Sequence, residues 1–145
     1  MKRSVCVICC LSILAAQTPP SVAQTEFKKT LQKKYDFKTV SCYTCHSKKS
    51  EVPDEQRKAF AKNSKKFHNV FGKEFVKLLK DKEITKRLAV VRKLASDDPE
   101  KKKVVAEVNK EFLEALKKVV TLESPTGETY GELLKAATLS GVKPR

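Results

Sequence analysis

Apolar side chains recur every three or four positions along most of this chain, and that spacing leaves few folds open to it. Phe67, Val70, Phe71, Phe75, Leu78 and Leu79 stand at helical intervals with lysines between them. They predict an amphipathic helix ending near Lys80 or Asp81. Phe27, Leu31 and Tyr35 predict a first short helix over residues 25–37. Lys48, Lys49, Ser50 and Pro53 mark a loop, after which Asp54 and Glu55 open a helix carrying Ala59 and Phe60. Ile84, Leu88, Val91 and Ala95 continue the pattern. Asp97-Asp98-Pro99-Glu100 sets acidic groups and a proline where a helix begins. The helix behind it carries Val105, Val108, Phe112, Ala115, Leu116 and Val119 on one face and is expected to reach about Thr121. Ser124-Pro125-Thr126-Gly127 is a turn, Tyr130 to Lys135 a last short helix, and the tail from Ser140 to Arg145 is expected to be loose. No alternating run of β-branched residues between turn residues signals a strand. The expected fold class is all-α. "YGELLK" at Tyr130 echoes "FGKEFVKLLK" at Phe71, which suggests a shared aromatic-glycine packing device rather than a repeat.

The first 23 residues stand apart. Lys2 and Arg3 precede an apolar run from Val5 to Ala16, followed by Pro19-Pro20 and the small-residue pattern Ser21-Val22-Ala23. This is the layout of a secretory signal peptide cut after Ala23. Twelve apolar residues rise only about 18 Å as a helix, short of a hydrocarbon core of about 30 Å. The remainder, residues 24–145, is long enough for one domain. Without Lys2 and Arg3 it keeps 29 basic against 17 acidic residues, a formal charge of +12. Lysines spread along the whole length favour acidic surfaces, whether an acidic protein partner, anionic lipid or a polyanion, and charge alone selects none of these. Nucleic acid is not expected, because the chain is exported and has no basic motif interleaved with aromatics.

Two cysteines lie beyond the leader, in the segment Cys42-Tyr43-Thr44-Cys45-His46. A disulfide closing so short a loop stabilises a domain little, so this pair is expected to do chemistry. Covalent haem attachment needs two thiols spaced for the two vinyl groups on one porphyrin edge, and a histidine directly after the second thiol to meet the iron. Cys-x-x-Cys-His meets those needs. Export supports it, since attachment takes place outside the cytoplasm. A zinc site would use Cys42, Cys45, His46 and His68, although consecutive ligands at 45 and 46 close a tetrahedron awkwardly. A thioredoxin-like dithiol wants a strand-helix context, which the sequence lacks.

The segment Cys42 to His46 resembles the haem site of small monohaem c-type cytochromes. That resemblance implies a small helical domain wrapped around one covalently attached haem c, with Cys42 and Cys45 as thioether anchors and His46 as proximal iron ligand. It also implies one-electron transfer. The haem segment would cover about residues 25–81, and additional C-terminal helices would occupy about residues 82–139. One departure stands out. Such carriers usually supply a methionine as second axial ligand, whereas the only methionine here is Met1. His68, the only other histidine, is the leading candidate for the distal position. On a helical wheel it falls within the apolar face, and Gly72 one turn later would bare the surface for a flat porphyrin. Lysines, or Tyr35, Tyr43 and Tyr130, are further candidates. Loss of a methionine ligand lowers the reduction potential.

The expected function is a periplasmic electron-transfer protein docking acidic redox partners through lysines such as Lys48 and Lys49, and no enzyme. Phe60, Phe67, Phe71, Phe75 and Phe112 are expected in the core. Two alternatives stay open. One is a haem protein with an open distal site for small-ligand sensing or peroxide chemistry. The other is a helical interaction module with a structural zinc.

Overall fold

The computed structural model describes residues 22–145. The leader expected over residues 1–23 lies almost wholly outside them. Six helices dominate: α1 (Val22–Lys34), α2 (Arg57–Lys62), α3 (Val70–Leu79), α4 (Ile84–Val91), α5 (Pro99–Val119) and α6 (Tyr130–Lys135). Among the described residues, no helix is long and apolar enough to cross a membrane.

The helical class is mixed with a little sheet. Strands β1 (Phe37–Val40) and β2 (Val142–Pro144) pair antiparallel, with Val40 opposite Val142. Two expectations change with them. Phe37 belongs to a strand rather than to the end of the first helix, and the tail is not loose. Asp36 turns the chain out of α1 at φ 52, a left-handed conformation that aspartate tolerates better than most residues. Strands of four and three residues are too short to show an alternating pattern, so only their pairing reveals them.

The core is built on α5. Phe112, Leu116 and Val119 are fully buried, and they pack with Leu31 of α1, Phe71 and Phe75 of α3, and Leu134 of α6. Helices α5 and α6 share this core with α1, α3 and the partly buried Cys45, whereas Ile84 and Leu88 of α4 pack with Val108 of α5 in a second cluster. Helix α5 starts as its sequence predicts: Asp98 accepts from the Glu100 and Lys101 amides, and Pro99 occupies the first turn. Helices α3 and α4 are separated by Glu83 at φ 46, and α4 stops at Val91, short of Ala95.

The echoed sequences do share a packing device. Phe71 and Tyr130 each sit one residue before a glycine at a helix start, and their rings meet with centroids 5.1 Å apart. Each glycine then lets another backbone come close. A Cβ on Gly131 would lie 2.9 Å from the Val120 carbonyl oxygen, and one on Gly72 only 1.9 Å from the Cys45 carbonyl oxygen. Gly72 thus serves the packing of α3 against the cysteine segment.

Gly72→Ala is expected to destabilise the fold by about 1–3 kcal/mol through overpacking. Gly131→Ala should cost less, because its added methyl has more room. Urea denaturation of the two variants against the parent chain checks the order.

Candidate functional site

The cysteine segment is a single tight turn. Ser41 precedes it in extended conformation, and its hydroxyl oxygen accepts from the Tyr43 amide. The Cys45 and His46 amides both donate to the Cys42 carbonyl, at 3.3 and 3.0 Å. Residues three apart eclipse one another in such a 3-10 turn, so Cys42 and Cys45 share one side of it. Both are free thiols, Cys42 exposed and Cys45 partly buried. Burial pushes the Cys45 thiol up to about 12, and Cys42 adds to the effect.

A second segment clamps the turn. His46 and His68 face each other across an isolated antiparallel bridge. The Ser47 amide donates to the Phe67 carbonyl at 3.0 Å, and the Asn69 amide donates to the Cys45 carbonyl at 3.1 Å. The two histidines therefore form a non-hydrogen-bonded pair, the kind in which Cα atoms lie about 4.5 Å apart and side chains share a face. Their ring centroids are 4.6 Å apart at an interplanar angle of 32°. His68 is not on α3, as the helical wheel had it. The helix begins after Asn69, whose side-chain oxygen accepts from the Gly72 amide at 2.9 Å.

Asn69 is the residue that sequence reasoning missed. Its side-chain nitrogen donates to the Tyr43 and Thr44 carbonyls, at 2.9 and 3.1 Å. One amide group thus caps α3 and grips the cysteine turn. An asparagine just ahead of an apolar run is an N-cap signal, so the cap was readable even though the grip was not. Gly141 was also missed. At φ 85 it presses on the turn from the other side, where a Cβ would lie within 3 Å of the Ser41 and Thr44 side-chain oxygens, and its carbonyl accepts from the Ser41 amide at 2.8 Å.

One ring nitrogen of His46 is fixed by the backbone. Its Nδ1 lies 3.3 Å from the Phe67 carbonyl oxygen. A carbonyl only accepts, so Nδ1 carries the proton and Nε2 keeps its lone pair. Burial lowers the pKa of His46, and Lys65 adds to this against the raising effect of the Phe67 contact. Burial and the neighbouring His46 lower that of His68. Both rings are thereby held toward the neutral form that binds metals.

No family model, curated protein or solved structure matches the chain.

What the turn faces is an open cavity of about 730 Å³, within the roughly 300–1,000 Å³ usual for cofactor pockets. Cys42, Cys45, His46 and His68 all line it. Its apolar walls come from four helices: Phe27 and Leu31, Phe75 and Leu79, Ile84, and Phe112. Phe112 is stacked between Phe27 and Phe75, with centroids 4.1 and 4.8 Å away. Lys28, Lys65, Lys66, Lys80 and Lys86 also line the cavity, whereas Lys48 and Lys49 are exposed and do not. The three tyrosines line none of it. Tyr130 is core, Tyr43 is exposed and Tyr35 stacks on Phe37. Phe60 and Phe67 pair edge to face with centroids 5.3 Å apart and are only partly buried, outside the main core. Among the described residues, no three His, Cys, Asp or Glu side chains converge to hold a metal ion.

Asn69→Ala is expected to lower stability by about 2 kcal/mol, through the lost cap and the two abandoned carbonyls. Asn69→Asp keeps an acceptor for Gly72 but turns an oxygen on Tyr43 and Thr44, so it should recover only part of the loss. Chemical denaturation of both variants checks this.

Proposed function

We propose that this chain is a c-type haem protein that carries single electrons between exported partners, with Cys42 and Cys45 as thioether anchors and His46 as the proximal iron ligand. The observation that carries the reading is the His46 imidazole. It stands directly beside two thiols on one turn, is fixed by the Phe67 carbonyl through Nδ1, and opens with those thiols onto a cavity walled by aromatic and aliphatic side chains. A carbonyl or carboxylate partner on the far nitrogen is the usual device for orienting a metal-bound imidazole.

The fit also rests on the donor set. Two sulfurs at positions i and i+3 suit two attachment points on one edge of a planar group, and the walls suit its apolar faces. Bound there, a haem supplies a one-electron iron couple whose potential the protein tunes through axial ligation and burial. The chain's own part is to hold the imidazole neutral and in one tautomer, to keep water from the apolar walls, and to present lysines along the cavity. Those lysines, Lys28, Lys65, Lys66, Lys80 and Lys86, favour an acidic partner surface. The expected leader supports an extracytoplasmic, periplasmic setting.

The test is expression of the full chain in a host able to attach haem c, followed by denaturation and acid-acetone extraction. The parent chain should keep its haem on the polypeptide, and Cys42→Ala/Cys45→Ala should release whatever it binds. His46→Ala should keep the covalent bond but change the reduced spectrum. Parent protein that leaves a competent host with no covalent haem would sink the reading.

A further inference from the structure

We infer that the iron of a haem held by His46 receives no sixth ligand from the described residues of this chain, so that the position opposite His46 takes a neutral diatomic gas. The inference rests on the haem reading above and concerns the other face of the same site. Two imidazoles on opposite sides of one iron point head to head. With metal-nitrogen bonds of about 2 Å, that arrangement puts their ring centroids about 6 Å apart. His46 and His68 have centroids 4.6 Å apart and only a moderate tilt between the rings. More decisively, they are cross-strand neighbours in a non-hydrogen-bonded pair, locked by the amides of Ser47 and Asn69. Their side chains rise from the same wall, so a planar group cannot pass between them while that pairing stands.

His68 therefore stands beside the proximal imidazole, on its side of the site. Its removal leaves few donors. The sequence contains two histidines, and its sole methionine is Met1, the first residue of the expected leader. The tyrosines do not line the cavity. The nitrogen donors left along the cavity are lysines, whose ammonium form has three N–H donors and no lone pair. The oxygen groups there, such as Glu83, are hard donors and poorer ligands than imidazole for ferrous haem iron, a borderline cation. The apolar part of the cavity lining is formed by Phe27, Leu31, Leu79 and Ile84 among others. Such a lining favours an uncharged ligand over an anion, despite the lysines that also line the cavity.

The test uses the full chain with its haem attached, reduced with dithionite and titrated with carbon monoxide while the absorption spectrum is recorded. The parent protein should show the broad reduced bands of a five-coordinate iron and shift to sharp bands on gas binding. His68→Ala should bind the gas with an affinity within about threefold of the parent, equivalent to about 0.6 kcal/mol. A haem-loaded parent whose sharp reduced bands ignore carbon monoxide overturns the inference while leaving the haem reading intact. Gas binding that appears only in His68→Ala overturns it as well and assigns His68 as the ligand. A chain with no covalent haem overturns both.

Discussion

Two residues of pairing between the segments around His46 and His68 make a site out of the cysteine turn. The Phe67 carbonyl takes the Ser47 amide and the His46 ring together, and the Cys45 carbonyl takes the Asn69 amide. Without that bridge the turn would be tied to the fold mainly through the tail strand. With it, the turn is fixed to the start of α3, and α3 is fixed by Phe71 and Phe75 to α5 in the core. Asn69 multiplies the effect because one side chain serves the helix cap and the turn at once. Gly72 completes it by letting the helix backbone lie directly on the Cys45 carbonyl, an approach that any Cβ would block.

That arrangement sets what the site can do. A turn braced from outside keeps both sulfurs and the imidazole on the cavity side, with Nδ1 of His46 held at the Phe67 carbonyl. The walls are supplied by helices far apart in sequence, so the cavity is a property of the whole fold. Lysine spacing along those helices does two jobs. It keeps the outer faces in water, and it places several positive charges along a cavity with aromatic and aliphatic walls.

The helices were legible because their apolar faces obey a period, and the start of α5 was legible because Asp98 and Pro99 are strong local signals. Cys42, Cys45 and His46 were singled out by their spacing, and the structure sets them on one turn that lines the cavity. The partnership between His46 and His68 was only half legible. Both were singled out, but helical spacing placed His68 on α3, where it would project from a helix. The capping preference of Asn69 moves the helix start past it and leaves it in extended backbone. The strands were not legible at all. Each is too short to carry a period, and the reason residues 37–40 are extended lies about a hundred positions away at Val142. Gly141 belongs to the same class of information, since what it presses against is invisible in its own neighbourhood.

The distance between β1 and β2 also imposes an order in time. Helix starts and the cysteine turn form from neighbours, but the strand pair must close a loop of about a hundred residues, and contacts of that range are entropically expensive and come late in folding. Ser41 is anchored to Gly141 by that same closure. The two thiols thus spend the early life of the chain on a segment whose far brace has not arrived. On the proposed haem reading, a bulky planar group would be joined to them before the walls stand, and the tail would then close the frame behind it.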